Sequence, residues 1–456
     1  MNPKISIEEL SKILGGTRIS QGGISENLRA IQISTDTRSL KTGDIFLAFR
    51  GENFDGHQFA ETAARQGASA LIVDHEIELN PPINISQIVV SDTLKAYQDI
   101  ANWWRKQCSV PIIGITGSVG KTTTKELLAA ALSVKGKVHK TEGNYNNEIG
   151  VPRTLLGITS DHDYAIIEMA MRGRGEIALL AQVAEPTIGL ITNVGTAHIG
   201  RLGSEQAIAE AKCELLVEMP PTSTAILNHD NERLIKTAAT LWSGETLTYG
   251  LEGGDIHGQL LDSATLQVND FTFPLPLPGR HNALNFLAAL AVAQVVGLDW
   301  KLLSAGINVN MPGGRARRIE LDNDIVLLDE TYNAGLESML AALHLLQETP
   351  AQRRIAVLGA MRELGARSPE FHRQVGEKVK ALDLDYLLVL DSHPSIPNLI
   401  EGAKGTKIES FTTHEDLVQY LKSFMQRGDR LLFKASNSVG LSRVVAGIQN
   451  TNVLDH

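Results

Sequence analysis

A glycine-rich turn that ends in lysine and threonine is built to wrap a nucleoside triphosphate, and the chain carries one at Gly114-Ile-Thr-Gly-Ser-Val-Gly-Lys-Thr-Thr-Thr124. Backbone N–H groups along Thr116, Gly117, Ser118, Val119 and Gly120 would face the phosphates together with the start of the following helix. Lys121 would reach the β and γ groups, and Thr122, with Thr123 beside it, would ligate Mg²⁺. The spacing departs from strict G-x-x-x-x-G-K-[ST], because Ile115 stands where the first glycine would be; Thr116-Gly-Ser-x-Gly-Lys-Thr122 still supplies the turn. An ordinary glycine-rich turn is the competing reading. The apolar run Val110–Ile115 before it and the helical composition of Lys125–Leu132 after it weigh against that.

Three more chemically capable side chains follow. Glu168 ends the strand pattern Asp163-Tyr-Ala-Ile-Ile-Glu-Met169, a place from which an NTPase carboxylate holds Mg²⁺ directly or through water. His198 closes Val194-Gly-Thr-Ala-His198 after the apolar run Thr187–Asn193. A lone histidine is more often a satisfied core or surface residue, but its strand-end position on the expected phosphate edge favours a metal or phosphate role. Lys212 lies in the helix pattern Gly203–Leu216, one turn after Ile208 and one before Leu215 and Leu216. A snorkelling lysine is the usual outcome there. A partly buried one would lose its proton and could take up CO₂ as a carbamate, an oxygen-rich anion able to bind Mg²⁺. Periodicity alone does not choose between them.

Polar loops supply further candidates. Asn144-Tyr-Asn-Asn-Glu-Ile-Gly-Val-Pro152 concentrates amides that suit sugar hydroxyls and phosphate oxygens, although such residues are also turn chemistry. Ser34-Thr-Asp-Thr-Arg-Ser39 and Gly51-Glu-Asn-Phe-Asp-Gly-His57 lie at strand ends, where α/β domains bind ligands; in isolation, simple polar turns are the commoner outcome. The amides of Leu277-Pro-Gly-Arg-His-Asn-Ala-Leu-Asn285 would read a base or ribose, or cap the alanine-rich helix 286–293.

The elements that must position these groups alternate throughout. Residues 1–108 read as a helix at Ser6–Leu14 and strands at Ile31–Ser34, Ile45–Phe49 and Ala70–Val73. Residues 109–312 read as a mostly parallel sheet covered on both faces. The break Met311-Pro-Gly-Gly-Arg315 leads into 313–456, with strands at 325–328, 354–358, 386–390 and 430–433 and helices at 336–347 and 369–381. This last stretch is doubly wound without a glycine-rich dinucleotide fingerprint.

At 456 residues the chain exceeds one core and suggests about three domains. Its net charge of -10 argues against a general nucleic-acid binder. The two cysteines, Cys108 and Cys213, form neither a disulfide framework nor a zinc pattern, which fits a reducing compartment. With no signal pattern and no apolar run long enough to cross a bilayer, a cytoplasmic protein without membrane insertion is expected.

In this order, Thr116-Gly-Ser-Val-Gly-Lys-Thr122, Asn193-Val-Gly-Thr-Ala-His198 and Ala211-Lys-Cys-Glu214 resemble the Mur ligases, the ATP-dependent amide-bond formers of bacterial cell-wall precursor synthesis. The resemblance covers nearly the whole chain. Asn144–Pro152, Asp329-Glu-Thr-Tyr-Asn-Ala334, Val357-Leu-Gly-Ala-Met-Arg-Glu-Leu-Gly365 and Thr35-Asp-Thr-Arg38 with Asp55-Gly-His57 resemble the members that add a dipeptide. It implies an α/β fold of three domains: a UDP-substrate domain at 1–108, a central P-loop parallel-sheet ATPase domain at 109–312, and a Rossmann-like domain at 313–456 that closes over ATP and binds the dipeptide.

The implied substrates are UDP-MurNAc-tripeptide and D-alanyl-D-alanine, joined by a monomer through an acyl phosphate. By the same resemblance Lys121 neutralises the β and γ phosphates, and Thr122 with Glu168 holds one Mg²⁺. His198 and carbamylated Lys212 hold a second. Asn282 contacts adenine, Arg315 the γ phosphate and Asp329 the ribose. Asp36, Thr37, Arg38 and His57 hold the UDP end, Asn144, Asn146 and Asn147 lie nearer the sugar and phosphates, and Tyr332 and Asn333 flank the dipeptide.

The chain departs from the family pattern at Ala170 (for glycine), Glu330 and Thr331 (for aspartate and serine), Ala360 (for aspartate), and in Lys434-Ala-Ser-Asn437, at Ala435 and Asn437, where Lys-Gly-Ser-Arg is common. Most of these fall in the last domain and bear on the dipeptide pocket. Two other readings compete: another amino-acid-adding Mur or folylpolyglutamate-type ligase, and a P-loop ATPase switch, which leaves His198, Lys212 and the last domain without a task.

Overall fold

The computed structural model describes residues 5–20, 29–30, 32–51, 54–80, 82–390 and 392–449. Of the segments singled out in sequence, Ile31, Glu52 and Asn53 lie outside these. The helix Ile7–Leu14 starts where the Ser6 hydroxyl accepts the Glu9 N–H and stops at left-handed Gly15, as its pattern predicts. The neighbouring sheet runs Thr17–Ser20, Ser86–Val89, Ala70–Val73, Ile45–Leu47, Ile33–Ser34, parallel except for its first pair. Asp92 caps the long helix Thr93–Gln107, an element that sequence periodicity left unread. Trp104 Nε1 and Arg105 Nε on that helix donate to the carbonyls of Ile158 and Ala184, fastening the first sheet's last helix to the next layer.

The central sheet has nine strands. Seven run parallel, in the order Ile256–Asp262, Glu245–Gly250, Thr224–Asn228, Ile188–Ile191, Ile112–Thr116, Tyr164–Glu168, Val138–Lys140. An antiparallel ribbon, Thr265–Val268 and Phe271–Pro274, extends it at one edge. The strand Ile112–Thr116 is buried at every position and paired on both sides, which accounts for its unbroken apolar run. Its register sets Glu168 against Ile115 and Ile191 against Thr116, so three strands end at one level. The loops leaving them are the phosphate loop, the segment after Glu168 and the segment 192–198.

One face of this sheet is covered by the helices Lys121–Leu132 and Arg280–Val295. The alanines of the second helix let it lie close to the first, and each fully buried leucine in this layer contributes about 1.5–3 kcal/mol. The other face carries Gly150–Leu156, Glu176–Ala184 and Glu205–Val217.

The third sheet runs Arg317–Leu321, Ile325–Asp329, Asp429–Lys434, Arg353–Leu358, Tyr386–Leu390, Lys407–Phe411, parallel after an antiparallel first pair. Asp329 aligns with Phe433 and Leu358 with Lys434, so the loops 330–334, 359–365 and 435–440 leave at one edge. A single apolar core runs from Ile191 and Ile199 to Met361 and Leu364, joining the central and last layers. Among the described residues no helix is long and apolar enough to cross a membrane.

Candidate active site

Two glycines make the phosphate loop what it is. Gly117 has φ +153° and Gly120 φ +83°; a Cβ on the first would lie 1.9 Å from Thr192 Oγ1, and one on the second 2.5 Å from Asn285 Oδ1. Asn193 braces the loop, its Oδ1 accepting the N–H groups of Ser118 and Val119 at 3.1 and 3.0 Å. Ser118 Oγ in turn accepts the Gly195 N–H at 2.9 Å. Lys121 folds back to donate to Gly117 O at 2.7 Å. Burial lowers its pKa, with Arg315 adding to the effect and Glu168 opposing it.

Behind the loop lies a buried polar cluster. Thr122 Oγ1 sits 3.1 and 3.0 Å from the two Glu168 oxygens, and Asn146 Nδ2 donates to Glu168 Oε1 at 2.8 Å. Lys125, fully buried, lies 3.5 Å from Glu168 and 3.4 Å from Glu126 and donates to Thr141 O at 2.8 Å. Thr141 Oγ1 accepts the Glu168 N–H at 2.9 Å. A hydroxyl and a carboxylate meeting at one strand end are hard oxygen donors, the chemistry that suits Mg²⁺. Asn146 thus meets the Glu168 carboxylate, while Asn147 Oδ1 accepts the Gly150 N–H and starts a helix. Asn144 stays exposed.

Lys212 is buried on the helix Glu205–Val217, and among the described residues no carboxylate lies within ion-pair distance. Its pKa falls well below the ordinary 10.5, chiefly from burial and further from the charge of Lys121. An amine so placed is held toward its neutral, nucleophilic form. His198, left-handed at φ 65°, begins the short helix Ile199–Leu202. Its pKa is lowered by burial, with Lys121 and Lys212 reinforcing and Glu363 opposing. Lys121, Lys212 and His198 therefore lie within electrostatic reach of one another.

The last layer contributes the opposite wall. The Arg315 guanidinium lies 3.6 Å over the Tyr332 ring; burial lowers the pKa of Lys434, with Glu330 opposing and Arg315 adding to the effect. Asp329 is buried, its Oδ1 accepting from Thr331 N and Oγ1 at 3.2 and 2.6 Å. Glu330 Oε2 pairs with buried Lys434 at 3.5 Å, and Lys434 also donates to Asn333 O at 3.1 Å. The departures Glu330 and Thr331 are thus each given a partner by the chain. The Asn333 side chain accepts its neighbour Ala334 N–H at 2.9 Å. Asn282 is buried and donates to Pro278 O at 2.9 Å, while Asn285 contacts both Asn282 and Thr124.

The N-terminal candidates stand apart from this centre. Asp36 accepts the Arg38 N–H at 2.9 Å and pairs with the Arg38 guanidinium at 2.7 Å on the surface, which lowers its pKa to about 2; Thr37 lies in the turn between them. His57 is buried with both ring nitrogens engaged: Nε2 accepts the Asp74 N–H at 3.1 Å, so Nδ1–H donates to Asp55 at 2.6 Å. Sequence reasoning missed Lys125, Thr141, Glu337 and the site contact of Glu363, and named Asn285 only within the amides of 277–285. Lys125 follows the phosphate loop by one helical turn, and Asn285 follows Asn282 by three residues; that spacing was the only signal available.

Family models match three segments: "Mur ligase family, catalytic domain" over residues 31–105, "Mur ligase middle domain" over 115–293 and "Mur ligase, glutamate ligase domain" over 314–437. A UDP-N-acetylmuramoyl-tripeptide--D-alanyl-D-alanine ligase from Synechocystis is 58% identical over 452 residues, 99% of each chain. Its counterpart from Escherichia coli is 35% identical over 98% of each. Among solved structures, MurF from Acinetobacter baumannii superposes with TM-score 0.88 at 28% identity over 98% of this chain and 99% of that one. MurF from Thermotoga maritima in complex with ADP does so with TM-score 0.82 at 31% identity over 92% and 98%.

Proposed function

The chain belongs to the Mur ligase family, and on that premise we propose that it joins D-alanyl-D-alanine to UDP-MurNAc-tripeptide with ATP, giving the pentapeptide precursor of peptidoglycan. The observation that carries this reading is the convergence of the phosphate loop with Thr122, Glu168, His198 and buried Lys212 at one sheet edge, faced by Arg315 from the last layer. A simple ATPase switch has no need of a desolvated lysine amine beside its phosphate loop.

The chemistry requires transfer of the γ-phosphoryl group to the tripeptide's terminal carboxylate, releasing ADP. The dipeptide amine then attacks the acyl phosphate carbon, and inorganic phosphate leaves as the amide forms and the amine's proton is lost. Negative charge builds on oxygen in both steps, so cations fixed beforehand are the main lever. Lys121 and Arg315 supply them from opposite walls. Thr122 and Glu168 would hold one Mg²⁺, and His198 with a carbamate on Lys212 a second. Bound there, the ions would neutralise phosphoryl and acyl oxygens. Asn146 and Lys125 keep the Glu168 carboxylate aimed.

We assign residues 1–108 to the UDP end of the substrate through Asp36, Thr37, Arg38 and His57, 109–312 to ATP, with Asn282 toward adenine, and 313–456 to closure and the dipeptide, with Asp329 toward ribose and Tyr332 and Asn333 toward the dipeptide. Asn144 and Asn147 are assigned to the sugar and phosphates. We take the protein to act as a cytoplasmic monomer. Phosphate release from ATP and Mg²⁺ tests the reading: release should need both UDP-tripeptide and D-Ala-D-Ala, with a product heavier by the dipeptide less water. Hydrolysis indifferent to both substrates would move the ATPase switch to the front.

A further inference from the structure

The segment that ends in His198 is gripped from across the domain boundary. Glu337, in the first turn of the helix Leu336–Glu348, accepts the Thr196 N–H at 2.6 Å and lies 3.2 Å from Thr196 Oγ1. Two residues on, His198 Nδ1 lies 2.8 Å from Glu363 Oε2. An ionised carboxylate only accepts, so Nδ1 carries the proton and donates, and Nε2 keeps its lone pair. Among the described residues no donor claims that nitrogen.

The backbones meet as closely as the side chains. Gly200 N donates to Glu363 O at 3.3 Å, and a Cβ on Gly200 would fall 2.7 Å from Gly365 N. His198 and Glu363 both occupy the left-handed region, at φ 65° and 62°, which residues with a side chain rarely adopt. Two such conformations facing each other persist only where the surroundings over-determine them. Arg201 lies 3.8 Å from the other Glu363 oxygen.

We propose that Glu363 is a positioning residue for His198: docked from the last domain, its carboxylate fixes the imidazole with Nδ1 protonated and Nε2 presented to a divalent cation. This rests on His198 being a metal ligand, as proposed above. A carboxylate behind a ligating histidine sets both its tautomer and its orientation. Supplied by another domain, it makes the cation site complete only in the docked arrangement, so that closure and phosphoryl chemistry are coupled through one hydrogen bond.

The test uses the full chain and Mn²⁺ as probe, its binding read by electron paramagnetic resonance with a non-hydrolysable ATP analogue present. Glu363→Ala should weaken Mn²⁺ binding about 10- to 100-fold, and the Nδ1-protonated ¹⁵N signature of His198 should disappear. Glu363→Gln, whose amide oxygen accepts the same N–H, should keep most of the affinity. Arg201→Ala, which removes only the longer ion pair, should bind as wild type does. Equal losses in Glu363→Ala and Glu363→Gln would overturn the hydrogen-bond role. Wild-type binding by Glu363→Ala, with His198→Ala impaired, would overturn it too. If His198→Ala itself binds Mn²⁺ normally, the ligand assignment fails first and the positioning role falls with it.

Discussion

Lys212 is held away from water, and among the described residues no carboxylate pairs with it; in the role proposed for it, this arrangement serves chemistry at the expense of stability. Its pKa is depressed below the ordinary 10.5, so the folded chain binds fewer protons than the unfolded one. Stability therefore rises with pH between the folded and unfolded values. Lys212→Met should unfold at higher temperature than wild type, with a gap that widens as pH falls from about 10.5 and levels off below the folded pKa. Bicarbonate should narrow the gap by stabilising only the lysine chain, and ligase activity should be lost at every pH. Thermal melts across pH, with and without bicarbonate, check this; a gap independent of pH would contradict it. Lys125 is the opposite case, a buried cation matched by Glu126 and Glu168. Removing one partner of a buried pair leaves an uncompensated charge, so Lys125→Met should cost about 3–5 kcal/mol in denaturant unfolding. A cost below about 1 kcal/mol, the range of exposed pairs, would show that these carboxylates do not depend on it.

At the scale of elements, the phosphate loop depends on backbone shapes that only glycine takes without strain. Gly117→Ala would press a methyl into Thr192, so it should destabilise the chain by about 1–3 kcal/mol and weaken nucleotide binding, measured by melting and by ADP titration. Unchanged ADP affinity would mean the loop re-forms around the methyl. This loop was legible in the sequence because strand, turn and helix each leave a local pattern, as do buried parallel strands such as Ile112–Thr116 and Ile188–Ile191. The antiparallel ribbon Thr265–Val268 and Phe271–Pro274 was not, although its buried and exposed positions alternate, because strands of four residues leave a period-2 pattern little length in which to show. Nor was the helix Thr93–Gln107, whose polar residues Asn102, Trp104 and Arg105 bond to carbonyls distant in sequence. Lys212 illustrates the same limit within the site. Its helical spacing allowed either a solvated or a buried amine, and tertiary packing decided for burial.

For the whole molecule, the proposed chemistry requires the last domain to dock against the central one. Glycine backbones touch at Gly200 and Gly365, so Gly200→Val should hold the two apart. The expected outcome is a larger radius of gyration by small-angle scattering and a kcat lower by about 100-fold, the scale set by a misplacement near 1 Å. Binding of the UDP-tripeptide should change little. A normal kcat with normal dimensions would show that this contact is dispensable. Contacts of this kind carry no local sequence signature: Glu363 was visible only as part of a stretch resembling a family motif, and its reach to His198 follows from the fold.

Amide formation through an acyl phosphate at this interdomain site would carry one oxygen of the tripeptide's carboxylate into inorganic phosphate. It is tested most directly by supplying UDP-tripeptide labelled with ¹⁸O in its terminal carboxylate, together with ATP, Mg²⁺ and D-Ala-D-Ala. One labelled oxygen should appear in the inorganic phosphate for each amide formed. Phosphate free of label alongside normal amide formation would rule out the acyl phosphate.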